Sequence, residues 1–462
     1  MRTIGIDLAI SARHKAVVME EDGSFISPLI SFRPRWQEIK QVVDRAREGV
    51  EEDHPLQAVM EPTGMAWFTL SVALSRMGVK PIYLVNGQKA HDLRLFYSRH
   101  SCSDRISARV LARMVIVDPE SLYPLQIPTA AQLACRRGCK ELDRLQRQMT
   151  AIKNRLIETD RFAWPGLEEI FKDSFSARAR LFRDKWYEPS VVLSSGEEEL
   201  RRSFLSVGRG KDLDWVKDLI QLAEDVLKLY GHQMLDYSLL HQEVIRQQRL
   251  LSYLEEEEEM VWRDVVRPLY HRLHPSRNLE TLCGVGERSA AVYVSFIGSP
   301  SRFVNGRKFR GWHGLIPSSH QSGDMQIKGL SVSKAGGDMV KKYSFLDAEV
   351  ARRYDPQIGA IYYDQMVNKG KHHTQAVCAC ATHLLDRVRV ILLEDRPYQL
   401  RDVDGSLITA AQGRAIIARR YRVSQEVRRR NSRRYRKESA QRRAERKWQK
   451  GQRGREPKRE RS

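Results

Sequence analysis

Cysteine is scarce in this chain of 462 residues, and the six present (Cys102, Cys135, Cys139, Cys283, Cys378 and Cys380) fit neither a disulfide framework nor a good zinc spacing. A reducing compartment is expected. Cys378 and Cys380 lie near His372, His373 and His383, but "AVCACATHLL" reads more simply as the small-residue face of a helix than as a zinc site. Long uncharged apolar runs are missing too. The amino-terminal "MRTIGIDLAI" has a charged residue in its apolar run and no cleavage site, so a cytoplasmic protein with no membrane partner is expected. Acid is short relative to base, 58 Asp/Glu against 79 Lys/Arg, and the imbalance is concentrated at one end. Residues 413–462 hold 21 Lys/Arg and 5 Asp/Glu, which leaves a net charge of only +5 over residues 1–412. Such a tail lacks the apolar residues that would offset its ordering entropy, so it is expected to be disordered alone and to be ordered by a polyanion. Its arginine bias suits phosphate, and the apolar face of a membrane-surface helix is absent.

What is present begins with an α/β pattern over residues 1–118. Three short β-type runs, "RTIGIDLAI", "HKAVVMEE" and "FISPLISFR", are separated by hairpin-length turns. A helix follows at 35–48, with Trp36, Ile39, Val43 and Ala46 on one face, then a strand at 56–61 and a helix at 65–77. The alternation ends with a strand at 81–86 and helices near 87–96 and 103–117. A three-strand meander followed by alternating helix and strand is the order of a ribonuclease-H-like (RuvC-like) sheet. Residues 119–275 read as a helical, coiled-coil segment. Leu142, Leu145, Met149, Ile152 and Leu156 form one seam, and Trp215, Leu219, Leu222, Val226 and Leu229 another, with an insertion between. A mainly α domain is expected over 276–400. It opens on "LETLCGVGERSAAVYVSFIG", either a tight interhelical turn or a helix-hairpin-helix-like element whose Gly284 and Gly286 leave N–H groups for a phosphate.

Phosphoryl transfer on a nucleic-acid backbone is served by carboxylates that gather Mg²⁺, and in this fold they come from the first strand, the end of the fourth strand and the last helix. Those places hold Asp7, Glu61 and Asp104. Asp7 interrupts an apolar strand, where a charge is costly unless coordinated or paired. The bland readings are a strand-end carboxylate for Glu61 and a helix cap for Asp104. In the second domain the basic residues Arg302, Arg307, Lys308, Lys328, Lys334, Lys341 and Lys342 are the candidate phosphate contacts.

The motifs "GIDLA" followed by His14, "MEPTG", "LVNGQKAHDL", "SDRISARVLARM", "WPGLEEIF", "LCGVGERSAA", "RFVNGRKFRGWHGLIPSSHQSG" and "SVSKAGGDMVKKYSFLDAEVARRYDP" resemble, in order and spacing, the DEDD transposases of the insertion-sequence-110 family, the Piv-related, bridge-RNA-guided serine recombinases. The resemblance runs over about residues 1–400. It implies a prokaryotic, nucleoid-associated transposase that uses Mg²⁺ (or Mn²⁺) and acts on donor and target DNA. It further implies a guide (bridge) RNA, a homo-oligomer (dimer or tetramer) and a nucleophilic serine in the second domain. By position, Asp7, Glu61 and Asp104 match the acidic residues and Ser322 in "HQSGD" the serine, with Ser318 and Ser319 as fallbacks and His320 a candidate base. Two departures stand out: Ser107 falls where the fourth aspartate would be, and Cys102-Ser103 replaces Lys-Thr. Ser107 implies weaker binding of one ion, or rescue by a group such as His100. The rival readings are a metal-dependent junction nuclease and a catalytically impaired RNA- or DNA-binding relative.

Overall fold

The computed structural model describes residues 1–453 except 86, 99–102, 208–212, 232–233, 317–319, 323–324 and 328–335, and the side chains of 121, 320–322, 325–327 and 442–453 are outside the described set. The chain divides into two compact units, Met1–Leu133 with Tyr270–Ser462, and Ala134–Leu269.

The first unit is built on a five-stranded sheet of β1 (Arg2–Asp7), β2 (His14–Met19), β3 (Ile30–Phe32), β4 (Leu56–Met60) and β5 (Ile82–Leu84), in the order β3-β2-β1-β4-β5. The first three strands are antiparallel, while β4 and β5 run parallel to β1, so the meander-then-crossover pattern forms a mixed sheet consistent with a RuvC-like fold. Between the strands lie α1 (Trp36–Arg47) and α2 (Ala66–Arg76), followed by α3 (Gly87–Tyr97) and α4 (Asp104–Val117). Side chains alternate across the sheet with period two. Ile4, Ile6, Ala16, Val18, Ala58 and Met60 pack with Ile39 and Val43 of α1 and Leu70 and Leu74 of α2, although Trp36 stays half exposed. On the opposite face Val17 and Met19 meet Ala108 and Ala112 of α4. Gly5 lies on that face, and a Cβ there would stand 2.2 Å from the Ala108 carbonyl oxygen and 2.6 Å from the Ala112 nitrogen. Only glycine lets α4 approach β1 so closely.

The second unit is helical. It takes most of α5 (Ala130–Ala163), then α6 (Leu167–Ile170), α7 (Ala177–Lys185), α8 (Pro189–Ser206), α9 (Trp215–Tyr230) and α10 (Tyr237–Met260). The expected seams do not make a clear coiled coil. Leu145, Ile152, Leu156, Leu219 and Val226 are buried in one core with the aromatic residues of the insertion, Trp164, Phe171, Phe182, Trp186, Tyr187 and Phe204, whereas Leu229 is 63% exposed. A hydrophobic repeat specifies a face but not its partner.

The chain returns to the first unit through α11 (Arg267–Leu273), α12 (Glu287–Ile297) and α13 (Gly306–Trp312). A two-stranded hairpin of β6 (His320–Ser322) and β7 (Met325–Ile327) follows, then α14 (Asp338–Ala351), α15 (Pro356–Tyr363) and α16 (His373–Glu394). The basic tail carries α17 (Ala410–Arg420) and α18 (Gln425–Arg453). Helix α18 is pinned near its start: the buried Asn431 amide donates to the Met366 and Lys371 carbonyls, Arg434 donates to the Gly370 carbonyl, and Tyr435 stacks on His372 at 4.5 Å. Those contacts give the first part of the tail a fixed seat that its composition does not suggest. Among the described residues no helix is long and apolar enough to cross a membrane.

Candidate active site

Parallel pairing of β1 with β4 sets Ile6 beside Met60, so the next residues along each strand, Asp7 and Glu61, emerge at the same sheet edge. The close approach of α4 through Gly5 brings its first turn to that edge. Ser103 is the N-cap of α4, accepting a hydrogen bond from the Ile106 N–H, which leaves Asp104 as the first helical residue and not the cap. Ser107, one turn on, is 4% exposed and accepts from Arg94, and its hydroxyl is near enough to Asp7 to act on that carboxyl. Burial pushes the Asp7 carboxyl above its ordinary range, with Asp104 and then Glu61 adding to the rise as like charges, while Arg94 and the Ser107 hydroxyl act against it. A carboxylate in such company is short of positive charge.

Two residues that were not singled out from the sequence complete the edge. Gly87 opens α3, and its missing Cβ leaves space that Glu61 uses, since an added Cβ would lie 2.7 Å from Glu61 Oε1. Arg94, one turn beyond the buried Ala90, donates from Nη1 to Ser107 Oγ at 3.3 Å and holds Nη2 3.6 Å from Glu61 Oε2. The available signal was a basic residue four positions after a small inward-facing one. His14 supports the neighbouring loop: its Nδ1 accepts from the Ala9 N–H, and burial keeps the ring's pKa low. His100 and Cys102 lie outside the described residues.

The donor chemistry suits Mg²⁺ or Mn²⁺, being carboxylate and hydroxyl oxygen with one under-compensated carboxylate. Yet among the described residues no group of three or more His, Cys, Asp or Glu side chains is placed to hold a metal ion. Among the described residues the Arg94 guanidinium brings positive charge to this edge.

The second-domain candidates are dispersed. Ser322 ends β6 and pairs with Met325 of β7. Its side chain and that of His320 are outside the described set, as are Ser318, Ser319, Lys328 and Lys334. The Gly-x-Gly element does not form a clear helix-hairpin-helix, because its first arm is only the short 3₁₀ turn Asn278–Thr281. Gly284, at φ +91°, is pressed onto α14, where a Cβ would stand 2.3 Å from the Asp347 carbonyl oxygen; the backbone there meets protein, not phosphate. Gly286 is exposed and N-caps α12, but Glu287, paired with His271 and Arg277, already puts a carboxylate at that terminus. Arg302 stacks over Phe303 and Trp312 at 4.7 and 5.2 Å, in an aromatic cluster with Tyr123, and Lys308 donates to the Glu120 carbonyl. Lys341 pairs with Asp338, Lys342 lies over Tyr343, and Arg307 is exposed. Cys380 is buried, with its thiol pushed up to about 12 by burial, which suits the small-residue helix face and not a metal ligand.

A mixed sheet of this order with acidic residues gathered where β1, β4 and α4 meet is the framework of the ribonuclease-H-like nucleic-acid enzymes. Residues 4–165 match the DEDD-transposase family model described as "Transposase", and residues 276–363 match the model described as "Transposase IS116/IS110/IS902 family". The two matches, in that order, cover more than half of the chain, and it belongs to the IS110/IS116/IS902 family of DEDD transposases. It is similar to the "Insertion element IS110 uncharacterized 43.6 kDa protein" of Streptomyces coelicolor, 31% identical over 129 residues. That alignment takes in 28% of this chain and spans about a third (31%) of the relative's length.

Proposed function

We propose that this protein is a mobile-element recombinase that cuts and rejoins DNA through a phosphoserine intermediate. The observation that carries the reading is the meeting of Asp7, Glu61, Asp104 and Ser107 around one sheet edge, in a chain whose matched segments follow the family's order. Ser322 Oγ attacks a DNA phosphorus and its proton passes to a neighbouring base, for which His320 is the candidate. The bond from phosphorus to the departing strand oxygen breaks, and that oxygen takes up a proton. Attack by a second strand end then forms the new phosphodiester and releases the serine. A bound Mg²⁺ or Mn²⁺ would supply positive charge to the phosphoryl transfer, and Asp7, Glu61, Asp104 and Ser107 are the oxygen donors that would hold it.

In this reading a structured guide (bridge) RNA selects donor and target DNA, and a dimer or tetramer joins the carboxylates of one subunit to the serine of another. Arg302, Arg307, Lys308, Lys328, Lys334, Lys341 and Lys342 contact phosphates, and the arginine-rich helix α18 tracks a nucleic-acid backbone non-specifically.

The deciding measurement is a denaturing gel of the full chain incubated with guide RNA, divalent metal and end-labelled DNA. A protein–DNA adduct that disappears in Ser322→Ala is expected. Cut strands without an adduct would make the protein a metal-dependent junction nuclease. Binding with neither product would make it a non-catalytic relative, the outcome that Ser107 in place of an acid most favours.

A further inference from the structure

We infer that Arg105, Arg109 and Arg113 of α4 form a track for a single DNA strand leading away from the carboxylate edge, with the guanidiniums on its phosphates and an unpaired base on Phe96. The inference rests on the reading above for the identity of the polyanion and adds where one of its strands is held.

The three arginines follow one another at four-residue steps, so they lie along one side of α4, each step adding about 6 Å of rise. The first comes directly after Asp104, so the stripe begins at the carboxylate edge. Another side of α4, with Ala108 and Ala112, is taken by the sheet. Rings hold two of the guanidiniums in place. Arg109 lies over Phe25 at 4.7 Å, and Arg113 lies over Phe25 at 5.1 Å and over Tyr97 at 4.6 Å. The Arg109 Nε is enclosed with no hydrogen-bond partner. A guanidinium laid on a ring keeps the donors of its outer edge for an oxyanion such as phosphate.

Charge separates this stripe from an ordinary solvated helix face. Base follows base at one-turn spacing, an arrangement that destabilises a helix unless something else meets the charge. Burial lowers the Arg109 pKa, and the like charges of Arg105 and Arg113 lower it further with no acid opposing them. The acids of the loop that brings Phe25 are engaged elsewhere: Glu20 pairs with Arg2, Glu21 with the amino terminus, and Asp22 accepts from the Ser24 N–H. A polyanion would complete the stripe. The aromatic surface then favours single strand over duplex. Phe96 is 79% exposed and meets Tyr97 edge to face at 5.2 Å, which leaves ring surface open. Bases stacked inside a duplex cannot reach such a ring, whereas an unpaired base stacks on it whatever its sequence.

The test is photo-crosslinking of the full chain to a short DNA strand carrying iodouracil, without metal or guide RNA, with the crosslinked peptides mapped by mass spectrometry. A crosslink at Phe96 is expected, competed by unlabelled single strand better than by duplex. In the salt range where the tail's non-specific binding is screened, Phe96→Ala should weaken strand binding about tenfold. Replacing all three arginines by glutamine should reduce the slope of log affinity against log salt by about 2. Thermal unfolding checks that each variant is folded, and Phe96→Ala, at an exposed position, gives a reading even if the triple variant does not fold. Unchanged affinity in folded Phe96→Ala, an unchanged slope in a folded triple variant, or crosslinks confined to other peptides would overturn the inference. So would a Phe96 crosslink given by an RNA strand of the same sequence and not by DNA. None of these results bears on the serine–DNA adduct; conversely, a blank adduct gel beside a Phe96 crosslink would sink the cutting reading and keep the strand track.

Discussion

Asp160 of the helical unit and Asp7 of the sheet are both acids taken out of water, and they are treated in opposite ways. Asp160, 5% exposed, is met by the buried Arg183 at 2.5 Å through Nη2 and by the Tyr187 hydroxyl at 3.3 Å. Asp7 is raised by burial and by the like charges of Asp104 and Glu61, and only Arg94 and the Ser107 hydroxyl act against the rise. The first arrangement is complete and serves the fold, since Arg183 also donates to the Ser174 carbonyl and so ties α7 to the loop before it. The second is deliberately incomplete as folding goes, and an incomplete charge site is where a cation or a phosphate chemistry finds its place. A third buried acid lies between the extremes: Asp347 of α14 has two hydroxyl donors, Ser289 Oγ at 2.6 Å and Tyr293 OH at 2.7 Å, both from α12.

The largest effect is expected from breaking the complete pair. Arg183→Met strands a buried charge, and urea denaturation should show a loss of about 3–5 kcal/mol from the helical unit. Asp7→Asn in the same assay should leave stability unchanged or raise it, since it relieves like-charge repulsion. A large loss from Asp7→Asn, or none from Arg183→Met, would erase the contrast.

Asp347 sharpens the comparison through pH. Its carboxyl is pushed up to about 6 by burial, with the two hydroxyl bonds opposing the rise. The folded state thus holds the proton more tightly than the unfolded chain. The stability this confers is full below about pH 4 and is lost as pH rises through about 6, by at most about 3 kcal/mol. Asp347→Asn should flatten the denaturation midpoint across that window and raise it at neutral pH. A midpoint that still falls between pH 4 and 6 would assign the decline to another group.

A second loss, smaller than that of Arg183→Met, is expected at Gly5. A methyl there meets the α4 backbone, so Gly5→Ala should cost about 1–3 kcal/mol and displace Asp104 and Ser107 from Asp7. Mn²⁺ binding should weaken out of proportion to that modest destabilisation. Unchanged binding would mean that the close approach of α4 is not what assembles the edge.

The sheet was legible because its strands alternate or run apolar on both faces and its helices end on turn residues; the elements that hold Asp7 and Asp104 and the strand that ends just before Glu61 fall where the pattern puts them, within one to three residues at most boundaries. The seams at 142–156 and 215–229 were legible as faces, but their partners were not, because Trp164, Phe182 and Phe204 come from an insertion with weak periodicity. Gly284 and Gly286 were visible as a turn. That one is pressed against the α14 backbone while the other is open is a fact of packing between segments some sixty residues apart.

Residue order alone determined the succession of strands and helices, the family and the acidic positions, since local propensity and hydrophobic period act over a few residues. Tertiary structure decided which cation stands beside those acids: Arg94 meets Glu61 and Ser107 only because parallel pairing and the bare backbone of Gly5 and Gly87 let four separate segments converge. Electrostatic partners are chosen by distance in space, and that distance exists only once the sheet register and helix approach are set.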